Sequence, residues 1–449
     1  MSAFVASPAR KDKVRELQRT LYRAAKADPR RRFHALYDKI YRRDVLQRAW
    51  EQVRANRGAA GIDEVTVADV EQYGVDRLLD ELAGELKDGS WRPVAARRVW
   101  IPKPGSGERR PLSIPTVRDR IVQTATKIVC EPIFEADMLP CSFGFRPRRS
   151  AHDALQVLHD ETFRGRRWAV ETDIAACYET IPHEPLMSAV EERVCDRNML
   201  KLLRAMLRAG VLNEGAVHHA VTGTPQGGVI SPLLANVYLH RLDRSWDDGR
   251  DGVLVRYADD VVAVCFSRRQ AERALRVLRA RVADLGLELK AAKTRIVQLQ
   301  EGGEGLDFLG FHLRMVRARS LRSRHVVFLA RWPSRKATQH ARDRLRFLTA
   351  RARLAAPPEQ VVAEVNRFLR GWAGYFRFGH SARDLDRIRA FAVRRMAHYI
   401  GYRHKRGFRY GWHQVVHASP DCMGIVSLNG IVVAPRANKP WREKPKATW

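Results

Sequence analysis

The chain has 449 residues and carries 81 Lys and Arg against 50 Asp and Glu, a formal net charge of +31. That length allows two or three domains with proper cores, and the surplus charge draws polyanions, nucleic acid foremost, since phosphate contacts supply most non-specific affinity. No apolar stretch reaches the roughly 18 residues a membrane helix needs, and six cysteines without a Cys-x-x-Cys pair argue against a zinc site or a disulfide framework.

In residues 1–45, Val14, Leu17, Leu21 and Tyr22 recur at helical spacing among Arg and Lys, which predicts one or two basic helices. Another helix runs from Tyr41 to the Gly-rich turn at Gly58 and Gly61. Trp91 to Ile114 reads as two strands joined by the turn Lys103 to Arg110, which contains Pro104, Gly105 and Gly107. This cationic hairpin is either a solvated turn or a phosphate clamp, because Arg offers forked donors that match phosphate oxygens. Ile121 to Ala136 predicts an apolar helix, and Ser150 an N-cap with Asp153 in the first turn. Arg146, Arg148 and Arg149 would suit phosphates, whereas His152 and His183 lack ligand-like spacing and read as structural.

Trp168 to Ile174 is a short apolar run that delivers Asp173, and Thr222 to Asn236 is a Gly/Pro turn leading into an apolar helix. Val253 to Val264 places Asp259 and Asp260 between two β-branched runs, the pattern of a β-hairpin. Two ionised carboxylates at its tip call for a counter-charge. A hard cation such as Mg²⁺ suits oxygen ligands, is usually held by one or two carboxylates and keeps waters or phosphates besides; an unliganded Asp-Asp turn is the plain alternative. If Asp173 lies beside Asp259, the pair could hold two cations as phosphoryl-transfer enzymes do. Arg268 to Leu285 predicts a charged amphipathic helix ending at Gly286. Further on, Val361, Val365, Phe368, Trp372 and Phe376 share one helical face and Arg367, Arg370 and Arg377 the other. Gly371 and Gly374 weaken that helix by about 1 kcal/mol each.

The ordered set Thr172-Asp173-Ile174, Pro225-Gln226-Gly227-Gly228, Tyr257-Ala258-Asp259-Asp260 and Arg370-Gly371-Trp372-Ala373-Gly374-Tyr375-Phe376 resembles the group II intron-encoded reverse transcriptases and maturases. The resemblance covers nearly the whole chain. It implies an α+β right-hand polymerase fold: a basic helical extension (1–45), fingers (46–165), a palm (166–322), a helical thumb or maturase domain (323–412) and a DNA-binding-like tail (413–449). It also implies an RNA-directed DNA polymerase with two Mg²⁺ ions, for which Mn²⁺ could substitute, held by Asp173, Asp259, Asp260 and the Ile174 carbonyl. Lys103, Arg109 and Arg110 would meet the triphosphate, Gln226 the incoming nucleotide, and Lys293 the leaving pyrophosphate. Tyr178 would exclude a ribose 2′-hydroxyl, although Cys177 and Glu179 depart from the family's usual aromatic and aspartate. Phe308-Leu309-Gly310-Phe311 resembles the primer grip. Arg367, Arg370, Arg377, Arg403, Lys405 and Arg406, interleaved with aromatics, would bind RNA.

The implied partners are group II intron RNA, an RNA template with a DNA primer, dNTPs and target DNA, with no membrane. Beyond residue 413 there is no paired Cys-x-x-Cys and no His cluster, so the HNH-type endonuclease domain of many relatives is expected to be absent. The basic N-terminus lacks the apolar segment of a secretory signal, and a bacterial, cytoplasmic protein is expected ahead of one with an Arg-rich organellar transit peptide. Two other functions fit the same motifs: an RNA-binding splicing cofactor in which polymerisation is secondary, and a domesticated reverse transcriptase in DNA repair or phage defence.

Overall fold

The computed structural model describes residues 12–102, 109–213, 216–218, 222–223, 227–318 and 324–438. Among them the strands are β1 (Ala96–Pro102), β2 (Arg109–Ile114), β3 (Trp168–Asp173), β4 (Val211–Asn213), β5 (Ala216–His218), β6 (Val253–Tyr257), β7 (Asp260–Cys265), β8 (Arg295–Gln298), β9 (Leu306–Phe308), β10 (Phe311–Arg317) and β11 (Val327–Pro333). They form three sheets, ordered β2-β1-β4-β5, β6-β7-β3-β8 and β11-β10-β9. The expected strand pair between Trp91 and Ile114 is present as β1 and β2, antiparallel with Arg97 opposite Ile114.

The β6-β7-β3-β8 sheet separates two apolar cores. Side chains alternate across a strand, so Val170, Val261 and Ala263 enter one core with the helices Arg43–Asn56, Val117–Glu135, Ser231–Ser245 and Arg268–Asp284. Ala169, Val262 and Val264 enter the other with the helices Ala151–Phe163, Arg335–Leu348, Pro358–Phe376 and Ala382–Arg403. A sheet covered on both faces needs apolar residues at every position, which is why β6 and β7 read as continuous runs. Asp173 and Asp260 share the strand parity of Ala169 and Val262, so both project toward the C-terminal half of the molecule.

Capping fixes several helix starts. The Ser150 side chain accepts from Asp153 N and the Asp153 side chain accepts from Ser150 N, a complete capping box. The helix expected from Ile121 begins four residues earlier, at Val117, because Thr116 Oγ1 accepts from Asp119 N at 3.0 Å. The helix Arg43–Asn56 ends on Arg57 in the left-handed region, just ahead of the glycines expected to stop it.

Helix Ala151–Phe163, on the N-terminal side of the expected boundary at 165, packs on β6, β7 and β11. The stretch beyond 413 also packs as far as it is described, with Val415, Ile425 and Leu428 buried in the second core. It is tied down by Asn366 Nδ2 donating to Gly424 O at 2.8 Å and by Gln156 Nε2 donating to Arg436 O at 2.8 Å. Among the described residues no helix is long and apolar enough to cross a membrane.

Candidate active site

The acidic hairpin forms as its pattern requires. Tyr257 pairs with Asp260, which leaves Ala258 and Asp259 as a two-residue turn between β6 and β7. On the other side Asp173 pairs with Asp260, and Ile174 N donates to Asp259 O at 3.1 Å. Two distant stretches thus bring three carboxylates to one sheet end. Ala258 holds φ at +57°, a left-handed conformation that costs a residue with a Cβ about 1 kcal/mol. Gly144 presses on this turn: a Cβ there would stand 2.5 Å from Ala258 N.

The segment carrying Lys293 is clipped to the end of β3 by Lys290 N donating to Asp173 O at 2.8 Å and by Thr172 Oγ1 and Thr294 Oγ1, 2.7 Å apart. Lys293 Nζ donates to Asp173 Oδ2 and stands 3.8 Å from Asp260 Oδ1. Burial works against its ammonium form, but the Asp173 bond and the Asp charges outweigh burial and raise its pKa. Desolvation, and then the like charges of Asp173 and Asp260, push Asp259 up to about 6. Desolvation and Asp173 also push Asp260 up to about 6, against the pull of Lys293.

This donor set fits a hard cation. Asp173 Oδ1 is buried without a hydrogen-bond partner, and two further carboxylates next to it are held above their ordinary pKa by burial and by the like charges around them. Among the described residues no three His, Cys, Asp or Glu side chains are arranged to hold a metal by themselves. Mg²⁺ is usually held by one or two carboxylates, with water and substrate phosphates completing the shell.

The other expected site residues divide. Tyr178 sits on the single helical turn Cys177–Thr180, entered through Ala176 at φ +45°. Burial raises its pKa, and its hydroxyl also feels Asp259 and Arg110. The charge of Arg110 reaches Asp260 as well. Arg109 and Arg110 are both exposed at the start of β2, on opposite sides of the strand. Lys103 and Gln226 lie outside the described residues. The turn between β9 and β10 puts Leu309 and Gly310 at φ +51° and +78°, and Tyr375 Oη donates to Leu309 O at 2.9 Å. An open cleft runs from Glu171, Asp260 and Lys293 past Phe308 to Lys336 and His340.

Two expectations are corrected. Arg146 does not face phosphates: it is buried, with Nη2 and Nε on Glu135 at 2.7 and 2.9 Å and Nη1 on the carbonyls of Leu139 and Ser142. Trp372 and Phe376 are buried and pack on each other, centroids 4.8 Å apart, so they are core rather than a stacking platform for bases. Of the basic residues expected to meet RNA, Arg367, Arg370, Arg403, Lys405 and Arg406 are exposed. Arg377 is half-buried with its guanidinium over the Phe378 ring at 5.2 Å. Arg403 Nη1 donates to Leu354 O and, at 2.9 Å, to Ala356 O.

Sequence reasoning passed over Arg256. It is 0% exposed, one residue from the end of β6, and bonded to the turn carrying Asp259. The signal was present, since a lone Arg inside an apolar strand must be paired when both faces of its sheet are covered.

Comparison with known proteins agrees with this geometry. Residues 101–313 match the family described as reverse transcriptase (RNA-dependent DNA polymerase), and residues 338–415 match the group II intron maturase-specific domain. The chain is 39% identical to the group II intron-encoded protein LtrA of Lactococcus lactis over 214 residues, 47% of this chain and 35% of LtrA. It is 34% identical to protein YkfC of Escherichia coli over 348 residues, 68% of this chain and 89% of YkfC. An uncharacterized 91 kDa protein in the cob intron of Schizosaccharomyces pombe is 36% identical over 208 residues, 46% of this chain and 25% of that protein. The chain spans about a third of LtrA but most of YkfC.

A reverse-transcriptase domain with a palm-like carboxylate sheet, followed by a maturase domain, is therefore the class of protein that this fold and these matches define. The chain belongs to the family of group II intron-encoded reverse transcriptases and maturases.

Proposed function

We propose that the chain is an RNA-directed DNA polymerase that also binds a group II intron RNA and assists its splicing and mobility. The observation that carries this reading is the pairing of Asp173 with Asp260, with Asp259 on the adjoining turn and a buried Asp173 oxygen left without a partner. The β6-β7-β3-β8 sheet serves as palm, β1 and β2 as the fingers hairpin, and the Arg335–Leu348, Pro358–Phe376 and Ala382–Arg403 helices as thumb and maturase surface.

Asp173, Asp259 and Asp260, with the Ile174 carbonyl, would hold two Mg²⁺ ions, or Mn²⁺ in their place. Bound there, the ions lower the pKa of an attacking hydroxyl and stabilise a leaving oxygen. Arg110 directs the triphosphate toward Asp260, with Arg109, Lys103 and Gln226 as further nucleotide contacts. Tyr178 closes the nucleotide site beside the ribose. Lys293, already bonded to Asp173, supplies positive charge or a proton to the leaving pyrophosphate. The Leu309–Gly310 turn, braced by Tyr375, positions the end of a DNA primer paired to an RNA template in the cleft that reaches Lys336. Exposed Arg367, Arg370, Lys405 and Arg406 face RNA phosphates, and target DNA is a further substrate of the same reading. Primer extension on RNA and DNA templates, run beside a splicing assay on the transcript flanking the gene, tests the proposal. Extension on RNA with dNTPs is expected; splicing assistance without extension would favour a cofactor role alone.

A further inference from the structure

Arg256 is the best-connected side chain near the carboxylates. A guanidinium has five N–H donors, and here each has an acceptor. Nε donates to Asp243 Oδ1 at 2.7 Å, and Nη2 to Asp243 Oδ2 at 2.5 Å and Ser142 Oγ at 2.8 Å. Nη1 donates to Asn236 Oδ1 and to the Ala258 carbonyl, both at 3.0 Å. The acceptors come from three separate stretches: the loop before helix Ala151–Phe163, helix Ser231–Ser245, and the catalytic turn itself. The backbone repeats the connection, with Arg256 N donating to Cys141 O and Phe143 N donating to Arg256 O, both at 2.8 Å. Asn236 Nδ2 closes the ring on Gly144 O at 2.8 Å.

Neutralising Asp243 would take only two of these donors. The bond to Ala258 O acts on something else: Ala258 is the left-handed residue of the turn, and its peptide runs directly into Asp259. With the carbonyl of that peptide held by Arg256 and Gly144 crowding the Ala258 N–H side, the backbone that aims the Asp259 carboxylate is gripped from both ends. We infer that Arg256 is a positioning residue: it touches no substrate and fixes the direction of Asp259 toward Asp173 by clamping the Ala258 carbonyl to the loop and helix behind it. This inference rests on the metal-dependent polymerase reading proposed above.

A purely structural role and a positioning role part company when the buried charges are replaced together. Burying an ion pair costs desolvation on both sides, so apolar residues of similar volume often preserve or raise stability. The double variant Arg256→Met/Asp243→Leu should therefore fold with a melting temperature near that of the unaltered protein, but with no donor for Ala258 O. Misplacement of a reacting group on the ångström scale costs about a hundredfold. Primer-extension turnover should accordingly fall by about ten- to a hundredfold, with the KM for dNTP and the affinity for primer–template unchanged. Mn²⁺ binding, read by electron paramagnetic resonance without any nucleotide, should weaken by about fivefold or more, since a cation site held within about half an ångström has been loosened.

A folded double variant with unaltered turnover and Mn²⁺ affinity overturns the inference. Should the double variant aggregate, Arg256→Lys, which keeps a cation opposite Asp243, carries the same expectation. In that case a turnover loss matched by Asp243→Asn at equal loss of melting temperature overturns it. An unaltered protein that neither extends a primer nor binds Mn²⁺ overturns the polymerase reading instead, and the two failures are thereby distinguished.

Discussion

Lys293 Nζ is bonded to Asp173 Oδ2 while it stands 3.8 Å from Asp260 Oδ1, so one lysine bridges the two paired carboxylates. In protein without divalent ions this ammonium is, among the described residues, the positive charge paired with the acidic cluster. Lys293→Met should lower stability in EDTA by about 1 kcal/mol, a modest figure because the lysine side chain is 47% exposed and water screens it. Added Mg²⁺ should then restore more stability to the variant than it adds to the unaltered protein. Thermal melts with and without Mg²⁺ measure this, and equal increments for both proteins would contradict it.

The acidic cluster also sets a pH dependence. Asp259 and Asp260 are pushed up to about 6 from an ordinary 3.8, so the folded chain holds protons there that the unfolded chain releases. Their contribution is therefore unfavourable at neutral pH, and without metal it is relieved as pH falls through about 6 toward 4. A bound cation competes with those protons. The Mg²⁺ midpoint for primer extension should rise as pH falls from about 7.5 to 5.5, because each ligand must be deprotonated to bind. A midpoint independent of pH would show that these carboxylates are not the ligands.

Tyr178 lies on a short turn within the electrostatic reach of Asp259 and Arg110, where an aromatic plane can exclude one oxygen by contact. Tyr178→Val should raise ribonucleotide incorporation relative to dNTP by at least about tenfold, the range in which a steric pocket discriminates small groups. Steady-state incorporation of matched rNTP and dNTP checks this. Unchanged discrimination would remove Tyr178 from the role.

Gly371 and Gly374 are exposed on helix Pro358–Phe376, and a Cβ added at either meets nothing within 4 Å. The protein's own packing does not demand glycine there. Each Gly→Ala change should therefore raise stability by about 1 kcal/mol, visible as a higher melting temperature, and an unchanged or lower value would contradict the open surroundings. On the same exposed side, replacing Arg367 and Arg370 by Gln should flatten the salt dependence of intron RNA binding. The log–log slope is expected to drop by about 0.7–0.9 for each phosphate that is no longer neutralised, and an unaltered slope would mean that these arginines face elsewhere. Arg377, placed over Phe378, should add little to that slope.

Much of this was legible in the sequence because its local signals agree with its tertiary demands. The β6–β7 hairpin, the Ser150 cap and the strand ending in Asp173 each follow from periodicity or capping chemistry within a few residues. Relationships that depend on who sits opposite whom were not legible. Arg146 and Arg148 look alike in sequence, yet burial against Glu135 makes Arg146 a brace while Arg148 is exposed. The aromatics Trp372 and Phe376 fit either a core or a base-stacking surface, and only the second core, built around β10 and β11, decides between them.

The central claim is that Asp173, Asp259 and Asp260 form one metal-dependent polymerising centre. Asp259→Asn tests it most directly, since the amide keeps the shape of the turn while removing a charge needed to hold a cation. Primer extension on an RNA template should be abolished while affinity for intron RNA, measured on the same preparation, stays nearly unchanged. Extension retained in Asp259→Asn would contradict the account.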